Sequence, residues 1–316
     1  MEKSGERFYL QTYSKTMERI SYDLNKLTGR ERHGLLLSVV GPRPIAWAST
    51  VDAQGRVNLS PFSFFNAFST SPPIVIFSSG RRAREAGIKN THENVLEVPE
   101  VAISVVSHEV VQQMSLTSNE YDRGINEFEK AGLTMMKSKR ITPPGVAESP
   151  VVMECAVTQV IPLGREGGAG NLIIAEVLLM HVDQRVLAGK SSVDTTKLDL
   201  IGRMGGNWYT RAFGDALFEI PKPGSELSIG VDSLPKAIRE SHILSGNDLG
   251  KLGSLKSLPS QEEKSAIRQR EGVKEVLQAV KLTDAERACQ VEKLAKEWIS
   301  KRREQEALAL LMSFHG

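Results

Sequence analysis

The spacing of apolar and polar positions changes character twice along the chain. From Leu35 to about Ser79, short β-rich runs alternate with turn signals. Pro44 to Val51 is apolar and β-branched, Asp52-Ala53-Gln54-Gly55 reads as a turn, and Arg56 to Leu59 reads as the return strand of a hairpin. Pro72-Pro73 interrupts the pattern, and Ile74 to Ser79 reads as a short buried strand. Thr91-His92-Glu93-Asn94 predicts a helix start, with Thr91 as its N-cap. Val101 to Val106 is another strand, and residues 108 to 136 are more helical and looped, with Gly132 suited to a helix C-terminus. Two long strands follow, Val151 to Leu163 and Leu172 to Val186, joined by a glycine-rich hairpin loop, Gly167 to Asn171. Many strands with short connections predict a mainly β, antiparallel barrel instead of a βαβ sheet.

After Tyr209 the strand pattern ends. Residues 221–260 are rich in Pro, Gly, Ser and Lys and predict an extended arm. Ser260 with Glu263, and Thr283 with Glu286, have capping-box spacing and predict two C-terminal helices. Leu294, Trp298, Leu308 and Leu311 fall near one face, suited to packing on the barrel, a second subunit or a partner. The expected organisation is a lead-in over residues 1–34, a barrel domain over 35–220, and an arm with a helical C-terminal extension over 221–316.

Composition narrows the function classes. Hydrophobic residues make up 40% and charged residues 25% of the 316, enough for a core and a charged surface. A net charge of +2 gives no pull toward nucleic acid or an anionic membrane. Cys155 and Cys289 are too few and too far apart for a disulfide framework and suit a reducing compartment. The first residues lack a signal-peptide pattern, and no apolar run approaches the roughly 20 residues of a membrane span. A cytoplasmic protein is expected.

Several chemistries find no support in the residues. Gly167-Gly168-Ala169-Gly170 lies between two strands, whereas a dinucleotide loop joins a strand to a helix. There is no P-loop lysine motif and no Gly-x-Ser-x-Gly elbow. The six histidines are scattered, and His181-Val182-Asp183 reads as a surface polar pair, so no metal site is expected.

The segment from Asn58 to Asn66 interleaves small hydroxyls with aromatics around Pro61. Proline donates no backbone hydrogen bond, so the stretch is not an ordinary central strand throughout. One reading is a core strand with Phe64 and Phe68 inside the barrel. The other is a ligand seat, with Ser60 and Ser63 as hydroxyl donors and Phe62 shaping an apolar slot. The flanks shift the balance toward the second. Ser49-Thr50 adds two hydroxyls, and Lys89-Asn90-Thr91 brings a cation and a hydroxyl to a helix start, which suits an anion.

The ordered set resembles the flavin reductase-like, FMN-binding split-barrel family. It runs Arg43-Pro44, Ser49-Thr50-Val51-Asp52, Gly55, Asn58 to Phe65, Pro72-Pro73, Lys89-Asn90-Thr91 and Asn94. It continues with Asn126-Glu127-Phe128, Ala131-Gly132-Leu133, Pro143-Pro144, Glu148-Ser149-Pro150, Gly202-Arg203, Gly205-Gly206 and Tyr209. The resemblance covers roughly residues 35 to 210. It implies a Greek-key split β-barrel with peripheral helices that forms a homodimer, with FMN near the subunit interface. It also implies flavin contacts by Ser49, Thr50, Asn58, Ser60, Pro61, Phe62, Ser63 and Ser78. Lys89, Thr91 and Asn94 would serve the phosphate, and Arg43 would be a further contact. Family members often carry Lys-Asp-Thr where this chain has Lys89-Asn90-Thr91; loss of a carboxylate does not harm an anion site.

The implied activity is an oxidoreductase in which NAD(P)H delivers a hydride to N5 of FMN, with electrons passed on to a small acceptor or an acceptor protein. No side chain need act as acid or base, so no catalytic residue is singled out. Two other readings remain open at this point: an FMN-binding electron carrier without its own NAD(P)H site, and an FMN-free interaction module.

Overall fold

A computed structural model describes residues 18–81, 89–222, 224–278 and 282–315. The chain divides into two compact units, Ser21–Phe218 and a second made of Glu219–Gly316 with the residues that precede Ser21. The first is built on strands β1 (Ala46–Val51), β2 (Val57–Phe62), β3 (Phe65–Thr70), β4 (Pro73–Gly80), β5 (Glu100–Ser104), β6 (Met135–Met136), β7 (Gly145–Val146), β8 (Val151–Pro162) and β9 (Gly170–Val182). Seven of them form one antiparallel sheet in the order β2-β1-β5-β8-β9-β4-β3; β6 pairs with β7. A separate hairpin joins β10 (Leu200–Arg203) to β11 (Tyr209–Ala212).

The stretch around Pro61 explains how the sheet turns back on itself. Its first half, β2, pairs with β1, and its second half, β3, pairs with β4. The corner falls at Ser63-Phe64, where the Phe64 carbonyl accepts the Ser78 N–H at 2.8 Å. Pro61 is therefore inside a strand, opposite Trp47, but the strand lies at the edge of the sheet order. Leu59, two residues earlier and of the same parity, sends its N–H away from β1 to Glu127. A missing N–H at position 61 thus costs the ladder nothing. Phe64 and Phe68 are 48% and 63% exposed, which removes the reading of this segment as a core strand with both rings inside the barrel. β3 has one side turned to solvent, and the core aromatics of this region are Phe62 and Phe77.

Alternation of side chains sorts the sheet into two faces. Ala46, Ala48, Phe62, Val75, Phe77, Ile103, Ile173 and Ala175 share one apolar core. Trp47, Leu59, Phe128, Met114 and Ile201 belong to a second core on the other face. The second core is covered by α3 (Val111–Leu116) and α4 (Glu127–Ala131); α1 (Gly29–Val39) precedes the barrel, and α2 (Asn90–Glu97) packs against β1 and β2.

Several local expectations change. Residues 35–39 form the end of α1, whose Thr28–Glu31 capping box commits them to helix despite their β-like composition. Thr91 is not an N-cap; Lys89 occupies that position without a side-chain cap, and the Thr91 hydroxyl is used elsewhere. The second long strand ends at Val182, because Asp183 caps a 3₁₀ turn over Gln184–Val186. Gly132 ends α4 in the left-handed region, as its position predicts. The lead-in up to residue 17 lies outside the described residues.

The second unit contains six helices among the described residues: α5 (Lys236–Arg239), α6 (Gly246–Gly253), α7 (Gln261–Arg268), α8 (Val273–Gln278), α9 (Asp284–Ser300) and α10 (Glu304–His315). The capping boxes at Ser260 and Thr283 are both formed. The expectation of two helices after an extended arm fails because Ser245 and Asp248 make a third box, and Leu252 anchors α6. Trp298, Leu308 and Leu311 are buried within this unit's own core, together with Leu234, Ile238 and Ile299. No helix among the described residues is long and apolar enough to cross a membrane.

Candidate functional site

The polar residues of β1 and β2 that interrupt the first core gather where α2 crosses the hairpin. Thr50 lies opposite Asn58, and Ala48 opposite Ser60, so Thr50, Asn58, Ser60 and Phe62 share a sheet face. Asn58 Nδ2 donates to Thr91 Oγ1 at 2.9 Å, and Asn94 Nδ2 donates to Thr50 Oγ1 at 3.1 Å. All four side chains are buried. The two bonds fasten the first turns of α2 to the hairpin and fix the direction of its N-terminal amides, which favours an anion. Lys89 stands at that end, with Nζ 5.4 Å from the Phe62 ring centroid. Phe62 in turn packs on Phe77 at 5.2 Å between centroids.

A pocket opens here. Asn58, Ser60, Lys89 and Thr91 line one side, and Asn119-Glu120-Tyr121 and Glu127 line the other. Four of the expected site residues thus meet in one place, with Phe62, Thr50 and Asn94 directly behind them. Alternation separates the rest. Ser49 pairs with Leu59 and Ala102 and so faces the second core, beside Trp47. Ser78 lies on the opposite face from Phe77, packed where Gly170 leaves room; a Cβ on Gly170 would sit 2.6 Å from Ser78 Oγ. Arg43 spends its guanidinium on the Leu37, Val40 and Met204 carbonyls and on Ser63 Oγ. It pins the end of α1 beside β10, and Ser63 is engaged with it away from the pocket. Pro61 shares the parity of Leu59 and faces away from Asn58.

Two further residues, Ser79 and Asn171, stand on the first face, and His92 stands on α2; the motif implies none of the three. Ser79, not Ser78, shares the face of Phe77 and lies opposite Asn171. Asn171 Nδ2 donates to the Ser79 carbonyl at 3.0 Å. Ser79 Oγ, Asn171 Oδ1, His92 Nδ1 and Asn94 Oδ1 are buried with no hydrogen-bond partner, as are Ser49 Oγ and Ser78 Oγ on the opposite face of the sheet. Burial and the charge of Arg81 hold the His92 imidazole below its ordinary pKa, against a smaller opposing pull from Glu93. Strand parity could have found Ser79, because Phe77 is the larger core residue and its alternation partner faces the same way. Asn171 depends on the long-range β4–β9 register, and nothing local signals it.

An unpaired buried polar atom costs about 1–3 kcal/mol, and a cluster of them calls for a ligand. The donor set fits a flavin mononucleotide in kind: an apolar aromatic wall, hydroxyls and amides for a polyhydroxy chain, and a cationic helix start for one phosphate. Among the described residues no group of three His, Cys, Asp or Glu could hold a metal. His181 pairs with the buried Glu154 at 2.6 Å and not with Asp183, which engages Arg185. Burial pushes the Glu154 carboxyl up, but the bonds from His181 and from the Lys139 and Arg140 N–H groups outweigh it and hold it low.

A model of the flavin reductase like domain matches residues 41–196. An uncharacterized protein of Aquifex aeolicus is 35% identical over 201 residues, 64% of this chain and 100% of that protein. The chain belongs to the flavin reductase-like family. Among solved structures it is similar to nitrilotriacetate monooxygenase component B from Bacillus cereus, with 29% identity, 65% of this chain and 100% of that one covered, and a TM-score of 0.61. A protein with a split barrel domain from Shewanella frigidimarina NCIMB 400 shows 26% identity over 63% of this chain and 96% of that one, with a TM-score of 0.54. The expected split barrel with peripheral helices and a helical C-terminal region is thus the fold, and membership places the chain among flavin-related oxidoreductases. The match ends before the second unit begins.

Proposed function

We propose that this chain is an FMN-binding, NAD(P)H-dependent flavin reductase-like oxidoreductase. The single observation that carries the reading is the set of unpaired buried polar atoms on His92 and Asn94, next to the Asn58–Thr91 pair on α2, and on Ser79 and Asn171, on the sheet face of Phe77. Bound flavin would supply the redox chemistry, accepting a hydride from the nicotinamide and passing electrons onward. The chain's own residues bind and orient. Phe62 offers the apolar wall, Asn58, Ser60 and Thr50 present polar atoms along it, and Lys89, Thr91 and Asn94 hold the phosphate at the start of α2. FMN is favoured over a dinucleotide because one cationic helix start provides for one phosphate. Arg43, Ser49, Pro61, Ser63 and Ser78 act as the frame, and any contact they make to flavin is through backbone or at one remove.

The exposed aromatic side chains of β3 and its corner, Phe64 and Phe68, fit a second copy of the chain covering this edge. A homodimer in sedimentation equilibrium supports that reading, and a monomer removes it.

The test is an absorbance spectrum of purified protein with FMN, followed by anaerobic addition of each pyridine nucleotide. Bleaching of the flavin band by NADH or NADPH is expected. Bound FMN that neither nucleotide reduces would leave a carrier reduced by a partner protein. Failure to bind FMN would overturn the whole reading.

A further inference from the structure

We propose that Glu127 is the proton-uptake group of this pocket: its carboxyl takes up a proton when FMN binds, so that flavin affinity falls as pH rises. The proposal rests on the flavin reading above.

Glu127 opens α4, a position where a glutamate ordinarily reaches into solvent. Here it is 3% exposed. Asn126 caps the helix through the Phe128 N–H at 3.0 Å, and the fully buried Phe128 anchors it, so the Glu127 side chain is held inward. Its Oε2 accepts the Leu59 N–H at 2.8 Å, between Asn58 and Ser60, the residues that line the pocket from β2. A buried carboxylate is usually paired with a cation. Among the described residues, no lysine, arginine or histidine lies within ion-pair distance of Glu127, whereas the neighbouring Asp52 is clasped by Arg56.

The charged and titratable groups around it are few. Lys89, Glu120 and Tyr121 share the pocket. Lys89 stands over the Phe62 ring. Arg56 precedes β2 and is bound to Asp52, and α3 brings no ionisable side chain. On α4 itself, Glu129 accepts from Asn126 Nδ2, and Lys130 lies over the Tyr121 ring. Burial therefore outweighs the two backbone hydrogen bonds and pushes the Glu127 carboxyl above its ordinary range.

Bringing an anionic phosphate into the same pocket disfavours the carboxylate further. The group's pKa is then higher in the complex than in the free protein, and linkage fixes the sign. Below the free protein's pKa the carboxyl is already neutral and FMN binds tightly. Between the two pKa values binding takes up a proton and affinity falls. Above both, the carboxylate is present in either state and affinity levels off at its weakest. A purely structural edge cap would show none of this, since the Leu59 N–H is accepted in either protonation state.

The experiment is an FMN fluorescence-quenching titration of the full chain from about pH 5 to about pH 9, on wild type and Glu127→Gln, with calorimetry of the wild type in buffers of different ionisation enthalpy. The glutamine keeps an acceptor for Leu59. FMN's own phosphate titrates near pH 6 and is common to both proteins. Wild-type affinity is expected to fall about tenfold more than that of Glu127→Gln over the range, with net proton uptake in the calorimeter. Identical profiles for the two proteins, or binding by the wild type without proton uptake, would overturn the proposal while leaving the flavin reading intact. If Glu127→Gln does not fold, Glu127→Met takes its place, so that the phosphate's own protons still cancel in the comparison. Absence of FMN binding by the wild type at every pH would remove both.

Discussion

The two units of this chain bury polar groups in opposite ways. In the helical unit most are matched; Arg287 Nε and His315 Nε2 lack a hydrogen bond, but each of these side chains has an ion-pair partner, Asp284 and Glu292. Three capping boxes close the starts of α6, α7 and α9, and the buried Glu292 accepts from Ser241 Oγ at 2.6 Å with His315 at 3.4 Å. In the barrel, Ser79, His92, Asn94 and Asn171 keep atoms unmatched on the side of the first core, and the buried Glu127 has no cation within ion-pair distance among the described residues. The first arrangement closes most of its polar groups on one another. The second lowers stability in the free protein and is intelligible if a ligand completes it.

The largest expected effect separates the units. Leu308→Ala opens a cavity in the helical core and should lower that unit's stability by about 2–5 kcal/mol, measured by thermal unfolding, with FMN affinity unchanged. A parallel loss of FMN binding would mean that the two units do not act separately. Next comes Asn58→Ala, which strips Thr91 of its partner. It should destabilise the barrel by about 1–3 kcal/mol and weaken FMN together, read by unfolding and by fluorescence quenching.

Ser79→Ala sharpens the comparison, because stability and binding should move apart. Removing an unmatched buried hydroxyl should leave the melting temperature equal or slightly higher, while FMN affinity drops about threefold to tenfold. Ser78→Ala, one residue away on the other face, should leave FMN affinity alone. Equal effects of the two would dissolve the distinction between the faces. The smallest effect concerns pH. His92 has a folded pKa held below 6.5 by burial and by Arg81, so the unfolded chain binds its proton first. Barrel stability from this group is full above 6.5 and is lost as pH falls through the lower folded value. Urea unfolding at descending pH should show a slope that His92→Asn reduces.

Much of this was legible in the residues, for physical reasons that differ by element. The hairpin over Pro44 to Leu59 and the strand at Ile74 to Ser79 follow from local alternation and turn chemistry, and the structure extends them by only a few residues. Asn58, Ser60, Lys89 and Thr91 meet in one pocket, as the ordered motif implies. Strand parity separates Ser49 and Ser78, which the resemblance implies as flavin contacts, from the face that holds Asn58, and only the pairing registers show it. Phe64 and Phe68 kept a core-strand reading open because an edge strand that leaves apolar side chains in solvent has the same composition as a core strand. Asn171 and Glu127 reach the site only through tertiary pairing across the barrel, which no window of sequence contains. In the C-terminal region, α5 and α6 were hidden by a Gly- and Ser-rich composition that reads as loop until a capping box and Leu252 anchor it.

The central claim, that the polar end of the first core seats the phosphate of FMN, is tested most directly by comparing FMN with riboflavin, which lacks the phosphate. Both ligands should be titrated by fluorescence quenching into wild type and Lys89→Gln at fixed ionic strength. Wild type should bind FMN at least about tenfold more tightly than riboflavin, and Lys89→Gln should erase most of that difference while leaving riboflavin affinity nearly unchanged. Equal affinity of wild type for the two ligands would contradict the claim.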